Sequence, residues 1–419
     1  MIVFATLGLG LPAAAQSPLA PTEPVPPLTP VATTRRLDLS LSVASGYDLI
    51  TTEDTSPGAL VDPRLAFDSA SSNASAALSF ARRSRKLDFG ASGGGNVQYY
   101  SVVPRLLPTS YFGGASASAR VGRRTQLRFG GGGSYSPYYS FGDFLMPRAE
   151  TVSAPRSDLN VARLETYTSN GSFSVASTLS RRMTLDASSS ADFVTTSNRA
   201  YRTFSAGART GMGYQATRYS QLRLGYGYRR SESGTDTIAF EIHNVDVGLS
   251  YRRPLSFSRR TVVSANTGTA IIMYAGTRSF GIIGNASLAH QLTQRTSLSV
   301  SYYRDISVFA GISRPYMADS ISTSLSGLLT RDLSYDIAGG YSLGRATLDV
   351  DNGFSLASGT GRLRYRLTRY VPLFVEYSFY NYRFERPVGL EDGFPLLAQR
   401  HGVRAGLSYS VPVIGRRVP

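Results

Sequence analysis

The side chains with the strongest binding chemistry in this chain are a row of arginines. Arg362, Arg364 and Arg366 alternate with Leu363, Tyr365 and Leu367. Successive side chains of an extended strand point to opposite faces, so the three guanidinium groups share one face. The same polar face of other alternating segments carries Arg128, Arg223, Arg229, Arg252 and Arg404, together with Asp88, Asp186, Asp192, Asp246, Asp336 and Glu376. A guanidinium is a planar fork of donors that grips carboxylates, phosphates or uronic acids two bonds at a time. A row of them along a narrow polar channel raises the local anion concentration. The same arginines are equally suited to pair with Asp and Glu on adjacent strands, which needs no solute. Both readings stand at this level.

Other chemistries find little support. His243, His290 and His401 fall on segments far apart in sequence, and cysteine is absent. No Ser–His constellation is singled out by a motif, no Asp/Glu/His cluster has ligand spacing, and no cofactor is indicated. The glycine runs Gly93–Gly95 and Gly130–Gly133 lie inside strand patterns and lack a following Lys-Ser/Thr. They mark bends or close backbone approach rather than a phosphate loop. The chain is therefore not expected to be an enzyme.

The elements that must hold these side chains are strands. Charged residues make up 17% of the 419-residue chain and hydrophobic residues 42%, with Gly 41, Tyr 26 and Phe 20. After the first residues no apolar run approaches the ~20 needed for a spanning helix. The net charge of +16 rests on arginine, since Lys86 is the only lysine. These arginines recur at turns and on one face of strands rather than in a tail or a basic helix, which argues against nucleic acid and for lipid phosphates and anionic solutes.

A short arginine-bearing turn organises the chain. It recurs at Arg83, Gly122, Ser180, Thr217, Ser258, Thr293, Thr330 and Thr368, mostly at intervals of about 35–41 residues. Each copy sits between two alternating segments, such as Leu222–Arg229 and Val245–Arg252, so the unit is a β-hairpin. Connections between units are longer and rich in Pro, Asp, Ser and Gly. Short turns at one end and long loops at the other are the asymmetry of an outer-membrane barrel. Tandem aromatics at segment ends (Tyr99-Tyr100, Tyr138-Tyr139, Tyr302-Tyr303, Phe379-Tyr380) fit interfacial girdles. Eight hairpins with a first strand near 37–50 and a last near 399–411 predict an all-β fold. It is a single antiparallel transmembrane β-barrel of about 18 strands, within 16–20, with both termini at the short-turn, periplasmic end.

Residues 1–15 end in Ala13-Ala14-Ala15 after an apolar stretch and are expected to be an export signal, here without a basic leader. Residues 16–34 carry six prolines between Pro18 and Pro30 and are expected to be a linker. The barrel is expected over 35–412, with 413–419 as a tail.

The segments 329–335 (LTRDLSY), 367–373 (LTRYVPL) and 401–410 (HGVRAGLSYS) resemble the β-barrel porin families of Gram-negative bacteria, in particular barrels found alongside exopolysaccharide synthesis and export systems. The likeness covers most of the chain after Arg35. It departs at the end, where Pro412 to Pro419 replaces the usual terminal aromatic. The resemblance implies an outer-membrane location, with lipid, lipopolysaccharide and the barrel-assembly machinery as partners. It also implies a pore for anionic solutes or for a secreted polysaccharide handed on by an export apparatus. The alternative is a closed structural or adhesive barrel whose loops bind partners.

Overall fold

The computed structural model describes residues 34–53, 68–101, 107–137, 139–140, 160–162, 165–197, 202–217, 219–233, 238–251, 260–274, 276–307, 315–346, 353–384 and 397–417. Among these residues the secondary structure is all strand: β1 (Thr34–Glu53), β2 (Ser69–Arg83), β3 (Leu87–Tyr100), β4 (Thr109–Val121), β5 (Thr125–Ser136), β6 (Tyr139–Ser140), β7 (Asn160–Ala162), β8 (Thr166–Thr178), β9 (Met183–Thr196), β10 (Arg202–Gln215), β11 (Ser220–Ser233), β12 (Ile238–Tyr251), β13 (Thr261–Tyr274), β14 (Thr277–Thr293), β15 (Thr296–Ser307), β16 (Tyr316–Leu328), β17 (Leu333–Ala346), β18 (Gly353–Arg366), β19 (Pro372–Phe384) and β20 (Leu397–Arg417). Residues 1–33, where an export signal and most of a linker are expected, lie outside the described residues.

Eighteen of these strands form one sheet, and β1 pairs with both β2 and β20, so the sheet closes on itself. Strands β6 and β7 form a separate two-stranded ribbon. All pairings are antiparallel between sequence neighbours, apart from the closing pair and the step from β5 to β8. Closure removes the free sheet edge that lipid cannot hydrate. Thr34 lies opposite Arg83 and Arg417, so both ends of the barrel sit with the short turns. Strand β20 runs to Arg417, which makes residues 413–417 the end of a strand rather than a tail. Pro412, which has no N–H to donate, is accommodated by a bulge: Leu37 pairs with Ile414 and Asp38 with Pro412, leaving Val413 extra.

The recurrent turn is built by its hydroxyl rather than by its arginine. Thr330 Oγ1 accepts from the N–H groups of Asp332 and Leu333 at 3.3 and 3.0 Å. Thr368 Oγ1 accepts from Tyr370 and Val371, Ser180 Oγ from Arg182 and Met183, and Thr217 Oγ1 from Tyr219 and Ser220. A side-chain oxygen that caps two backbone donors fixes the reversal locally. The arginine beside it is free to face water. At the opposite end the β13–β14 connection is tight: Tyr274 pairs with Thr277 and Gly276 takes φ 79°. Long connections at that end are therefore not universal.

The outer wall is apolar, with Leu41, Val43, Leu224, Val247, Leu363, Val375 and Leu407 exposed on it. The inner wall is polar and small, with serine pairs bridging strands, such as Ser42–Ser75 at 2.9 Å and Ser299–Ser324 at 2.6 Å. An apolar exterior around a polar interior, in a sheet whose first and last strands pair, is a transmembrane barrel of the bacterial outer membrane. The tandem aromatics divide between the faces. Tyr99 and Tyr302 are exposed outside, while Tyr100 and Tyr380 are buried inside, because neighbours on a strand cannot share a face.

Closure depends on a close approach between first and last strands. A Cβ on Gly46 would lie 2.1 Å from the Val403 carbonyl oxygen and 2.6 Å from Arg404 Cγ. Gly46→Val should therefore reduce the compact form that migrates fast in unheated gel samples. Gly359→Ala, whose Cβ would meet its nearest neighbour only at 3.8 Å, should leave that form at the wild-type level. Equal yields from the two variants would contradict the packing of β1 on β20.

Candidate functional site

Two files of charged side chains run along the inner wall. The first lies on β9–β12. Arg223 Nη2 donates to Asp186 at 3.1 Å, reaching over β10, and Arg209 Nη2 donates to Asp246, reaching over β11. The intervening residues make this reach feasible. Gly211 lies opposite Asp186 and Gly213 opposite Arg223, while Gly227 lies opposite Arg209 and Gly225 opposite Asp246. A Cβ on Gly213 would meet Gln221 Nε2 at 2.2 Å and Thr184 Oγ1 at 2.7 Å, so the space above this strand is already filled by its neighbours' side chains. Further towards the loop end, Arg229 Nη2 donates to the Ile306 carbonyl at 2.7 Å.

The second file climbs β17–β20 and β1. Arg366 Nε donates to Asp332 at 3.2 Å at the turn end, and Arg364 Nη2 lies 3.4 Å from Asp336. Arg362 donates to Glu376, and Glu376 lies in register between Arg362 and Arg404. Asp48 receives Arg400 at 2.7 Å, Arg404 at 3.7 Å and the Ser71 hydroxyl at 3.0 Å. Charge alternates along this file, Arg362–Glu376–Arg404–Asp48–Arg400, which keeps each buried ion beside an opposite one.

The files face each other across the lumen, since β13–β16 separate them one way and β2–β5 with β8 the other. Of the arginines expected on the lumen face, Arg223, Arg362, Arg364, Arg366 and Arg404 each have a carboxylate partner and Arg229 has a backbone one. Asp186, Glu376 and Asp336 receive Arg223, Arg362 and Arg364, Asp332 and Asp48 receive Arg366 and Arg404, and Asp246 receives Arg209. Arg252 lies outside the described residues. Pairing across the wall therefore accounts for most of the row, and the guanidinium groups do not form one open cationic strip. Only part of it faces water: the Arg364 and Asp336 side chains are 36% and 34% exposed, whereas those of Arg362 and Glu376 are 11% and 3%.

Sequence reasoning left out Arg209, Arg400 and Asp48, and also Asp305, which is buried on β15 facing Arg229. Arg209 lies on the same face as Gly207 and Gly211, and Asp48 on the same face as Gly46, so the parity rule applied to these glycine-bearing segments would have found both. The three histidines are dispersed. His243 and His401 bond through Nδ1 to the hydroxyls of Tyr226 and Tyr377, each at 2.8 Å, and His290 pairs with Thr261 at 2.6 Å. Tyr226 and Tyr377 are exposed on the outer wall. Such tyrosine–histidine pairs belong to a membrane-facing surface rather than to a reaction centre.

The inner wall differs from one end to the other. Towards the turns, Ser79, Ser92, Ser116 and Arg128 are partly or fully exposed. Towards the loops, Asp48, Tyr100, Ser231, Ser342, Leu356 and Tyr382 are buried. The described inner-wall side chains are thus more tightly packed towards the loop end.

No family model matches the chain, and no curated protein matches it. Among solved structures it is similar to outer-membrane proteins of Pseudomonas aeruginosa. OpdQ is 12% identical, covering 91% of this chain and 98% of that one, with a TM-score of 0.46. OccK2 (OpdF) in complex with glucuronate is 12% identical over 90% and 98%, with a TM-score of 0.46. OpdL is 15% identical over 91% and 99%, with a TM-score of 0.45. The likeness is one of overall shape.

Removing one partner of a buried pair leaves the other charge stranded. Asp246→Asn should lower stability by about 3 kcal/mol in urea unfolding of the lipid-folded barrel. Adding Arg209→Met to that variant should recover most of the loss. If the double variant is as unstable as the single, the two side chains are not coupled.

Proposed function

We propose that this barrel is an outer-membrane pore for small anionic solutes, which it gathers through its turn-end mouth. The observation that carries the reading is the rim. Arg85, Lys86, Arg123, Arg124, Arg181, Arg182, Arg295, Arg331 and Arg369 are all exposed in the short turns. Cations crowded around a low-dielectric opening focus a positive potential into it and raise the local anion concentration. Arg364, at 3.4 Å from the equally exposed Asp336, offers a guanidinium to solutes without adding net charge. Arg362, Arg404 and Arg223 are neutralised by their partners and serve to hold the wall. The anion preference thus rests on the rim rather than on the arginine row of the lumen.

Guidance of a polysaccharide has one supporting feature, an inner aromatic belt on β16–β19. Tyr316 and Phe354 lie 5.5 Å apart between ring centres, Phe354 and Phe384 5.9 Å, and Tyr382 and Phe384 5.9 Å. These rings are buried against one another and offer no open face on which a sugar could stack, so the small-solute reading is preferred. The burial of the loop-end inner wall favours a second reading, a closed structural barrel.

Planar-bilayer recordings separate these readings. The pore reading expects stable open steps with an anion-selective reversal potential. Combined neutralisation of Arg331, Arg364 and Arg369 by alanine should shift that potential towards cations. Glu376→Gln, which uncovers Arg362 and Arg404, should shift it towards anions. A cation-selective wild type, or potentials indifferent to these changes, contradicts the proposal. Silence at verified insertion supports the closed barrel.

A further inference from the structure

The barrel wall is not continuous between β14 and β15. Their ladder ends with Gly284 opposite Arg304. Strand β15 nevertheless continues to Ser307, paired with β16, and β14 begins at Thr277, paired with β13. Residues 305–307 of β15 therefore have no partner on β14, and residues 277–283 have none on β15.

The faces that meet there are the wrong way round for a simple wall. Alternation puts Ile306 on the face of Tyr302, which is exposed on the outer wall. It puts Ile283 opposite in sense to Phe280 and Ile282, which are 70% and 68% exposed, so Ile283 faces inward. Yet Ile306 and Ile283 share one buried apolar cluster with Phe240, Ile242, Ala270 and Ile272, with Met317 packed against it. The outer face of β15 thus lies against the inner face of β12–β14, and the hairpin laps over β15 from outside. On the lumen side of the lap, Arg229 donates to the Ile306 carbonyl at 2.7 Å.

We propose that this lapped seam is a lateral port through which an amphiphile with one apolar chain leaves the lumen for the bilayer. Elsewhere, opening the wall strands backbone groups in lipid, which costs several kcal/mol per group. At the seam the joint is apolar side-chain contact plus one guanidinium bond, so sliding the β13–β14 tip off β15 breaks no ladder. The joint's lining accepts an alkyl chain, while Arg229 at its inner edge already faces the buried Asp305 carboxylate. The inference goes beyond the pore reading and needs only the barrel.

The chain has no cysteine, so a disulfide between Ile283→Cys and Ile306→Cys locks the seam without competing thiols. The assay is uptake of radiolabelled oleate by a Gram-negative host that lacks its own long-chain fatty-acid channel. Wild type and each single variant should exceed the empty vector. The oxidised double variant should fall to the vector level, and reductant should restore it. Failure of the two cysteines to be joined either by a disulfide or by a short bis-maleimide, which would lock the seam equally, overturns the overlap itself. Wild-type uptake no better than vector, or undiminished uptake by the locked variant, overturns the port. Salt conductance of the locked variant reads the pore separately and should be unchanged.

Discussion

A backbone amide or carbonyl without a partner inside a bilayer costs several kcal/mol, because lipid offers nothing in exchange. That constraint reaches almost every feature of this molecule. It requires the sheet to close, and β1 meets β20 along nearly its whole length. It explains why the one proline in the interior of a long strand, Pro412, sits at a bulge where no donor is needed. At the strand ends, Ser180, Thr217, Thr330 and Thr368 take up backbone donors that the ladder has released. Where the ladder stops early, between β14 and β15, apolar overlap and Arg229 take its place.

Closure then determines the electrostatics of the lumen. Eighteen strands place the inward side chains of every strand around one shared space. Charges drawn into that space are stable only beside opposite ones. Serine and glycine on the intervening strands leave room for arginines to reach carboxylates two strands away, as Arg223 does to Asp186. The lumen consequently holds both signs in balance, and the unbalanced positive charge collects at the turn-end rim. Net charge is a property of the whole chain, but its position at the mouth follows from the turn chemistry.

The architecture was largely legible from sequence because period-two alternation and the recurring turn are local signals. Alternation alone placed Leu363 and Tyr365 outside and Arg362 and Arg364 inside. The strand number followed from counting turns, and the start of the first strand and the end of the last fell at the short-turn end, as expected. The partners of the arginines were less legible. Arg362 beside Glu376 is a nearest-strand pair that register could supply, whereas Arg209 with Asp246 depends on a glycine clearing in the strand between. The overlap at β14–β15 left no trace in the pattern, because Ile306 and Ile283 keep regular alternation and only their packing reverses. Solute choice depends on which of the paired charges meet water, and parity says nothing about exposure.

The central claim is the assignment of faces, which sets lipid on one side of every strand and water on the other. It is tested most directly by single cysteines at successive positions from Ser358 to Tyr365 on β18, with the barrel in vesicles containing brominated lipid. A membrane-impermeant thiol reagent present on both sides of the bilayer should label the even positions, including 362 and 364. A fluorophore at the odd positions, including 363 and 365, should be quenched by the lipid. Strict alternation in that phase is the predicted result. Labelling without a period of two, or with the phase reversed, would contradict the barrel described here.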